Sequence, residues 1–155
     1  MDQPSDSPGV LLPPILLFAG ALVLGFVLHW LKPMPVLQPW VARLLGLVLL
    51  ILSFRLARAA EKVFRRAGTN IRPDQPSLVL LTEGPFRFSR NPLYLATTGM
   101  YAAVALIFNA LWPLVLLIPM LALLHWGVIR REERYLEAKF GAPYREYRHR
   151  VRRWA

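Results

Sequence analysis

The fold is decided by apolar runs long enough to cross a membrane, the first of which is Val10-Leu-Leu-Pro-Pro-Ile-Leu-Leu-Phe-Ala-Gly-Ala-Leu-Val-Leu-Gly-Phe-Val-Leu-His-Trp30. A transmembrane helix needs about 20 mostly apolar residues to cross about 30 Å of hydrocarbon. Three further runs lie at about 36–57, 93–108 and 110–128. The sequence therefore predicts an all-α, polytopic membrane protein with four transmembrane helices, of which the third is short and forms an antiparallel hairpin with the fourth.

The composition excludes several classes of protein. Of the 155 residues 55% are hydrophobic, which is too apolar for a disordered chain. The lack of Cys excludes disulfides, thiolate metal sites, a catalytic thiol and lipidation on Cys. A net charge of +10 would indicate nucleic acid in a soluble protein, but in a membrane protein it reports topology, so no nucleic-acid partner is predicted.

The distribution of charge predicts the orientation. Of the 19 Lys and Arg residues, only Lys32 and Arg43 lie near the first connection, and the others lie at 55–90 or 130–153. Because cytoplasmic segments carry an excess of positive charge, both polar segments and both termini are predicted to be cytoplasmic. The composition, rich in Leu, Arg and Pro, is typical of a multi-pass protein of the bacterial inner membrane.

The first polar segment ends where the third helix is predicted to begin. Gly84-Pro85 is a turn signal, and Asn91-Pro92 is typical of an N-cap followed by the first helical residue. The free N–H groups of that helix end favour an anionic group, and Arg90 lies beside them. Two interpretations stay open here: a capped helix with interfacial aromatic and lipid-contacting arginine side chains, or a binding site.

The second polar segment is predicted to continue the fourth helix to Phe140 and to stop at Gly141. An amphipathic piece follows at 144–154, with its aromatic residues on one face.

Glu132 and Glu133 are the notable residues of that segment. Charge compensation along the helix would pair Glu133 with Arg130 and Arg134 with Glu137. A carboxylate pair near a membrane helix end is equally well placed to hold a cationic ligand.

Motifs for other chemistries are missing. No G-x-G-x-x-G follows a strand, and His29, His125 and His149 lack the spacing of metal ligands, so no metal is predicted.

Taken together, the polar segments resemble the isoprenylcysteine carboxyl methyltransferase family, which is related to the phospholipid N-methyltransferases. The family pattern is Gly-x-Tyr-x-x-x-Arg-His-Pro-x-Tyr, then Glu-Glu, then Phe-Gly-x-x-Tyr-x-x-Tyr. This chain matches it with the run 78–94, then Arg131-Glu132-Glu133, then Phe140-Gly141 with Tyr144, Tyr147 and Val151. One domain over 1–155 is predicted, with the first two helices at about 10–57 and a cofactor-binding and catalytic core at 66–153.

The resemblance implies S-adenosylmethionine in a cytoplasmic pocket between the segment joining helices two and three and the C-terminal helices. The implied cofactor-binding residues are Leu78, Val79, Leu80, Leu81, Phe86, Arg90, Asn91, Pro92, Leu93, Tyr94, Glu132 and Glu133. The implied catalytic residues are Arg131 and Tyr94, and the implied substrate contacts are Arg130, Arg131 and Tyr144.

Two positions depart from the family pattern. Asn91 replaces the family His; it can cap and hydrogen bond but cannot titrate near neutral pH. Val128 stands where the family has the Arg that binds the substrate carboxylate, four residues before the first Glu. Arg130 or Arg131 is the candidate to replace that Arg from a neighbouring turn.

The implied function is methyl transfer from S-adenosylmethionine to a lipophilic or lipid-linked acceptor in the membrane, first an isoprenylcysteine-like carboxylate and alternatively a phospholipid amine. The cofactor is expected to enter from the cytoplasm and the acceptor laterally from the bilayer. A non-catalytic membrane module that docks anionic lipid or a partner protein is the competing class. A sterol-type reductase is a weaker alternative, since such enzymes have more than four helices. The oligomeric state stays open.

Overall fold

The computed structural model describes residues 13–71 and 75–154, and within those ranges all regular structure is helical. Three helices, joined by connections of very different length, are followed by a long fourth helix that contains a π-helical turn. The elements are α1 (Pro14–Leu31), α2 (Pro39–Ala67), a 3₁₀ turn (Gly84–Arg87), α3 (Pro92–Ile107), α4 (Leu111–Leu124), a π-helical turn (His125–Ile129), α5 (Arg130–Phe140) and α6 (Ala142–Arg150). The first predicted run began at 10, and residues 10–12 lie outside the described ranges.

Length and composition make this an integral membrane protein. α1, α2 and the continuous helix Leu111–Phe140 are each long and apolar enough to cross a membrane. α3 is apolar but has 16 residues, which at 1.5 Å per residue span about 24 Å.

The α3–α4 turn and the α1–α2 connection lie together at one end of the bundle. Asn109 adopts a positive φ of 52°, which turns the chain within three residues. Its side-chain oxygen accepts hydrogen bonds from the backbone N–H of Val36 at 2.9 Å and of Leu37 at 3.1 Å. The predicted tight turn is confirmed, and the polar segments are left at the opposite end.

Small residues allow the helices to approach closely. α3 packs mainly against α2, and α4 packs mainly against α1. A Cβ added to Gly46 of α2 would lie 2.7 Å from the Ile107 side chain and 2.9 Å from the carbonyl oxygen of Ala103. Close backbone packing of this kind is a common source of helix association in membranes.

α2 is longer than its apolar run. The run ends at Ala57, but the helix continues to Ala67 and stops where Gly68 adopts a φ of 63°. The added turns consist largely of Ala, Arg, Lys and Glu, which are good helix formers, and Glu61 pairs with Arg58 and Arg65 along the surface. Hydropathy located the apolar part of α2 and not its end.

Candidate functional site

The loop before α3 is shaped by a glycine and held by a tyrosine. Gly84 has a φ of 55° and starts the 3₁₀ turn, which buries Phe86. The Phe86 ring meets that of Phe64 of α2 edge to face at 5.6 Å, and the hydroxyl of Tyr147 donates to the Phe86 carbonyl at 2.8 Å. Because burial raises the pKa of Tyr147, its hydroxyl stays protonated and remains a donor. The loop is thus fixed between α2 and α6.

One hydrogen bond joins the first turn of α3 to the first turn of α5. The Tyr94 hydroxyl donates to Oε1 of Glu132 at 2.7 Å, and both side chains are at least partly buried. A buried carboxylate is costly unless it is hydrogen-bonded or paired with a cation. Tyr94 supplies a hydrogen bond and no charge, so Glu132 favours a positively charged group beside it.

The neighbouring carboxylate of Glu133 is in a different state, because two arginines neutralise it. Arg153 donates to Oε1 at 2.8 Å and to Oε2 at 2.7 Å, and Nη1 of Arg90 lies 3.2 Å from Oε1. Hydrogen bonding to Glu133 raises the pKa of Arg153, which therefore stays charged. Within the described ranges, the adjacent glutamates thus present one carboxylate with no cation in ion-pair contact and one with two.

A cavity of about 640 Å³ lies between these segments, within the usual range of about 300–1,000 Å³ for small-molecule sites. It is walled by the loop before α3, the first turns of α3 and α5, and α6. The sequence-predicted residues that line it are Leu80, Leu81, Phe86, Arg90, Asn91, Pro92, Leu93, Tyr94, Glu132, Glu133 and Tyr144. The structure thus brings both polar segments together around one space.

Four predicted residues do not line that cavity. Leu78 and Val79 are 58% and 47% exposed, Arg130 is exposed, and Arg131 is half-buried. Val128 is 1% exposed and packs in the apolar core with Phe18 and Leu124. Val128 does not line the cavity, although its neighbour Phe18 does.

Further cavity residues had no prediction as site residues. They are Pro13, Pro14, Ile15, Phe18, Phe64, Asn70, Ile71, Gln75, Ser77, Thr97, Tyr135, Leu136 and Tyr147. Tyr147 was part of the family pattern and Leu136 shares a helix face with Glu132, so those two carried a signal. The start of α1 carried only hydropathy, and its place in the wall depends on α1 packing against α4.

Asn91 directly precedes α3 as predicted, but its side chain does not cap the helix. Its Nδ2 donates instead to the carbonyl oxygen of Arg153 at 3.0 Å, and its backbone N–H donates to the Ser89 hydroxyl oxygen at 3.1 Å. The predicted cap is wrong because a segment distant in sequence competes for the amide.

The ion pairs considered as one alternative within α5 are not the ones that the structure shows. Glu137 pairs with Arg148 of α6 at 2.9 Å, while Nε of Arg134 donates to the backbone carbonyl of Arg130 at 3.3 Å. The partners of Glu133 likewise come from outside α5. The chain turns sharply after α5, so α6 and the residues behind it bring arginines that helical spacing alone does not anticipate.

Comparison with known proteins adds the family. The profile of the phospholipid methyltransferase family matches residues 41–143, about two thirds of the chain. The chain belongs to the phospholipid methyltransferase family. Membership indicates membrane methyltransferase activity, and it confirms the relationship that the sequence motifs predicted.

Other comparisons are sparse. A stretch of 26 residues is 65% identical to an uncharacterized protein of Haemophilus influenzae. That stretch is 17% of this chain, and the match spans 41% of the length of the Haemophilus protein. No solved structure matches the chain.

The phospholipid methyltransferase match covers only part of the cavity wall. It includes the loop before α3, α3 itself and Glu132 with Glu133. The start of α1, Tyr144, Tyr147 and Arg153 lie outside the matched residues.

Proposed function

We propose that the protein transfers a methyl group from S-adenosylmethionine to a lipid-borne amine. The observation that carries this proposal is the cavity in which Tyr94 binds Glu132, a carboxylate with no cationic partner among the residues that the structure describes, in a member of a membrane methyltransferase family. S-adenosylmethionine carries two cationic groups and one carboxylate. In the cavity wall, Glu132 could pair with a cationic group and Arg90 with the carboxylate. When bound, the cofactor supplies an activated methyl group that an acceptor nucleophile takes as the carbon–sulfur bond breaks.

The residues of this chain would act by binding, orientation and exclusion of water. Glu132 is suited to lie beside a cationic group, and Tyr94 fixes its direction. Phe86 and Leu93 supply apolar wall around the reacting atoms. Alignment of two reactants in such a site can lower a barrier by about 7–11 kcal/mol.

An amine acceptor fits the charges better than a carboxylate. A carboxylate acceptor and the cofactor carboxylate would each need a cation, and of the arginines that the structure describes only Arg90 lines the cavity. An ammonium acceptor must lose a proton before it can attack. We assign this role to Glu132, because the other carboxylate of the wall, Glu133, is paired with Arg90 and Arg153.

The start of α1 supports a lipid-borne acceptor. Pro14, Ile15 and Phe18 contribute apolar surface to one side of the cavity. Ile15 is also 68% exposed, on a helix long enough to span the membrane. A hydrocarbon chain that enters laterally from the bilayer would meet this surface first.

Carboxyl methylation is the second candidate, and the lining position of Arg90 favours it. In that case Arg90 would contact the acceptor carboxylate and no proton acceptor would be needed. The proposed setting of either reaction is the inner membrane of a bacterium, with the cavity facing the cytoplasm.

The test is transfer of labelled methyl by purified protein into an organic-extractable product of native membrane lipids, with the product identified by mass spectrometry. We expect a methylated amine lipid. Glu132→Gln should lower the rate by about 10²-fold or more if it takes the proton. Glu137→Gln is the matched control, because Glu137 lies on the same helix, is paired with Arg148 and does not line the cavity.

A full rate in Glu132→Gln would contradict the assigned site. A methylated carboxylate would favour the second candidate. S-adenosylmethionine binding without any transfer would favour a non-catalytic lipid-binding module.

A further inference from the structure

The residues after α6, 151–154, form a strap across the start of α3. The carbonyl oxygen of Arg152 accepts a hydrogen bond from the backbone N–H of Arg90 at 2.9 Å. The carbonyl oxygen of Arg153 accepts hydrogen bonds from the Ser89 hydroxyl at 3.2 Å and from Nδ2 of Asn91 at 3.0 Å. Two backbone carbonyls therefore fix three consecutive residues, of which Arg90 and Asn91 line the cavity.

The side chain of Arg153 extends from the strap to α5. Its Nε and Nη2 bind the two oxygens of Glu133 at 2.8 and 2.7 Å, a bidentate pair of the strongest kind found in proteins. Glu133 is 8% exposed, so little water competes for its oxygens. The strap thus joins the loop before α3 to the helix that carries Glu132.

The bidentate pair determines what remains for Arg90. Its Nη1 lies 3.2 Å from Oε1 of Glu133, near enough for attraction, and the side chain is 9% exposed. Yet Nε and Nη1 of Arg90 are buried without a hydrogen-bond partner among the residues that the structure describes. Buried N–H donors rarely lack a hydrogen bond, so we expect a ligand group to accept hydrogen bonds from them.

We propose that Arg153 is a positioning residue: by occupying both oxygens of Glu133, it reserves the guanidinium of Arg90 for an acidic group of the ligand. That group is either the carboxylate of S-adenosylmethionine or the acid group of the lipid acceptor. Without Arg153, Glu133 would take Arg90 as its own bidentate partner and withdraw it from the ligand. This inference rests on the proposed function and assigns a role to a residue outside the family match.

Calorimetric titration of the whole protein in detergent tests this inference. The two ligands are S-adenosylmethionine and decarboxylated S-adenosylmethionine, which lacks the carboxylate. For Arg153→Gln we expect about tenfold weaker binding of S-adenosylmethionine and unchanged binding of the decarboxylated form. Arg153→Lys keeps the charge and one hydrogen bond, so it should restore part of the loss. Arg150→Gln is the matched control, because that arginine is 67% exposed and contributes nothing to the strap contacts.

If the acid group belongs to the acceptor, both forms of the cofactor should bind Arg153→Gln with the same affinity as they bind the wild type. The KM for phosphatidylethanolamine then rises about tenfold at unchanged kcat, while the KM for a long-chain alkylamine without phosphate stays constant. Equal losses for both cofactors and both acceptors, or no loss at all, would overturn the inference. Failure of the wild type to bind S-adenosylmethionine would instead refute the proposed function itself.

Discussion

At the scale of single residues, the adjacent glutamates of α5 have opposite surroundings. Glu133 has two arginines within 3.2 Å, whereas Glu132 has the neutral hydroxyl of Tyr94 at 2.7 Å. A helix turns about 100° per residue, so neighbours in sequence face different partners. Among the residues that the structure describes, one carboxylate is therefore paired with cations and the other with a neutral hydroxyl.

Removal of one hydroxyl tests the role of Tyr94. In Tyr94→Phe the Glu132 carboxylate loses a hydrogen bond of a kind that contributes about 1.5–3 kcal/mol. We expect S-adenosylmethionine to bind roughly tenfold or more weakly in a calorimetric titration. Tyr101→Phe is the control, since the Tyr101 hydroxyl donates to the Pro113 carbonyl at 2.9 Å in the core. Equal affinity in the two variants would contradict the role of Tyr94.

Residue-scale prediction from sequence succeeded where a motif fixed the position and failed where the partner was distant. Tyr94 and Glu132 were named from the family pattern, and the structure places them in contact. The Glu133–Arg153 pair spans 20 residues and a sharp turn at Gly141, where φ is 60°. Helical spacing describes partners three or four residues apart, so it pointed to Arg130 instead.

At the scale of helices, α3 packs mainly against α2, and their backbones approach closely at the last turn of α3. The contact depends on residues without bulk, because a Cβ on Gly46 would lie 2.8 Å from the backbone nitrogen of Ile107. Backbone atoms cannot yield as the end of a flexible side chain can. Small residues in an apolar run are visible in the sequence, but their partner helix is not.

Gly46→Ala should therefore lower the thermal stability of the protein in detergent. Overpacking of this kind costs about 1–3 kcal/mol. Gly20→Ala is the matched change, because nothing lies within 4 Å of the added Cβ there. That variant should unfold at the same temperature as the wild type or slightly higher, since alanine favours a helix by about 0.5–1 kcal/mol over glycine. A larger loss in Gly20→Ala than in Gly46→Ala would contradict the packing.

Helix existence was predictable and helix extent was not. Hydropathy found the four apolar runs, but it located neither the polar turns of α2 up to Ala67 nor the π-helical turn His125–Ile129. The π-helical turn joins the fourth apolar run to the charged helix α5 without a break, so that Leu111–Phe140 is one continuous helix.

At the scale of the whole molecule, the connections alternate between two ends of the bundle. The α1–α2 connection meets the α3–α4 turn, where the indole N–H of Trp112 donates to the carbonyl of Lys32 at 2.9 Å. The polar segments meet at the other end, where the backbone N–H of Ser77 donates to the Tyr135 hydroxyl at 3.1 Å. This alternation is compatible with four crossings, and the cytoplasmic placement of the arginine-rich end stays a prediction from the distribution of charge.

Labelling of single cysteines tests that topology, because the chain has no cysteine of its own. Gln38→Cys and Arg145→Cys place thiols at exposed positions on the two ends. A membrane-impermeant maleimide should reach residue 145 only from the cytoplasmic face and residue 38 only from the opposite face. Labelling of both from one face would contradict four crossings and would mean that α3 does not span.

The central claim is that the cavity between the loop before α3 and α5 takes S-adenosylmethionine, and photo-crosslinking of labelled S-adenosylmethionine tests it most directly. After irradiation of the purified protein, mass spectrometry should locate the label within 84–97 or 130–136, and excess unlabelled S-adenosylmethionine should abolish it. Label at the opposite end, around 32–38 or 108–112, or label that the unlabelled compound does not displace, would contradict the claim.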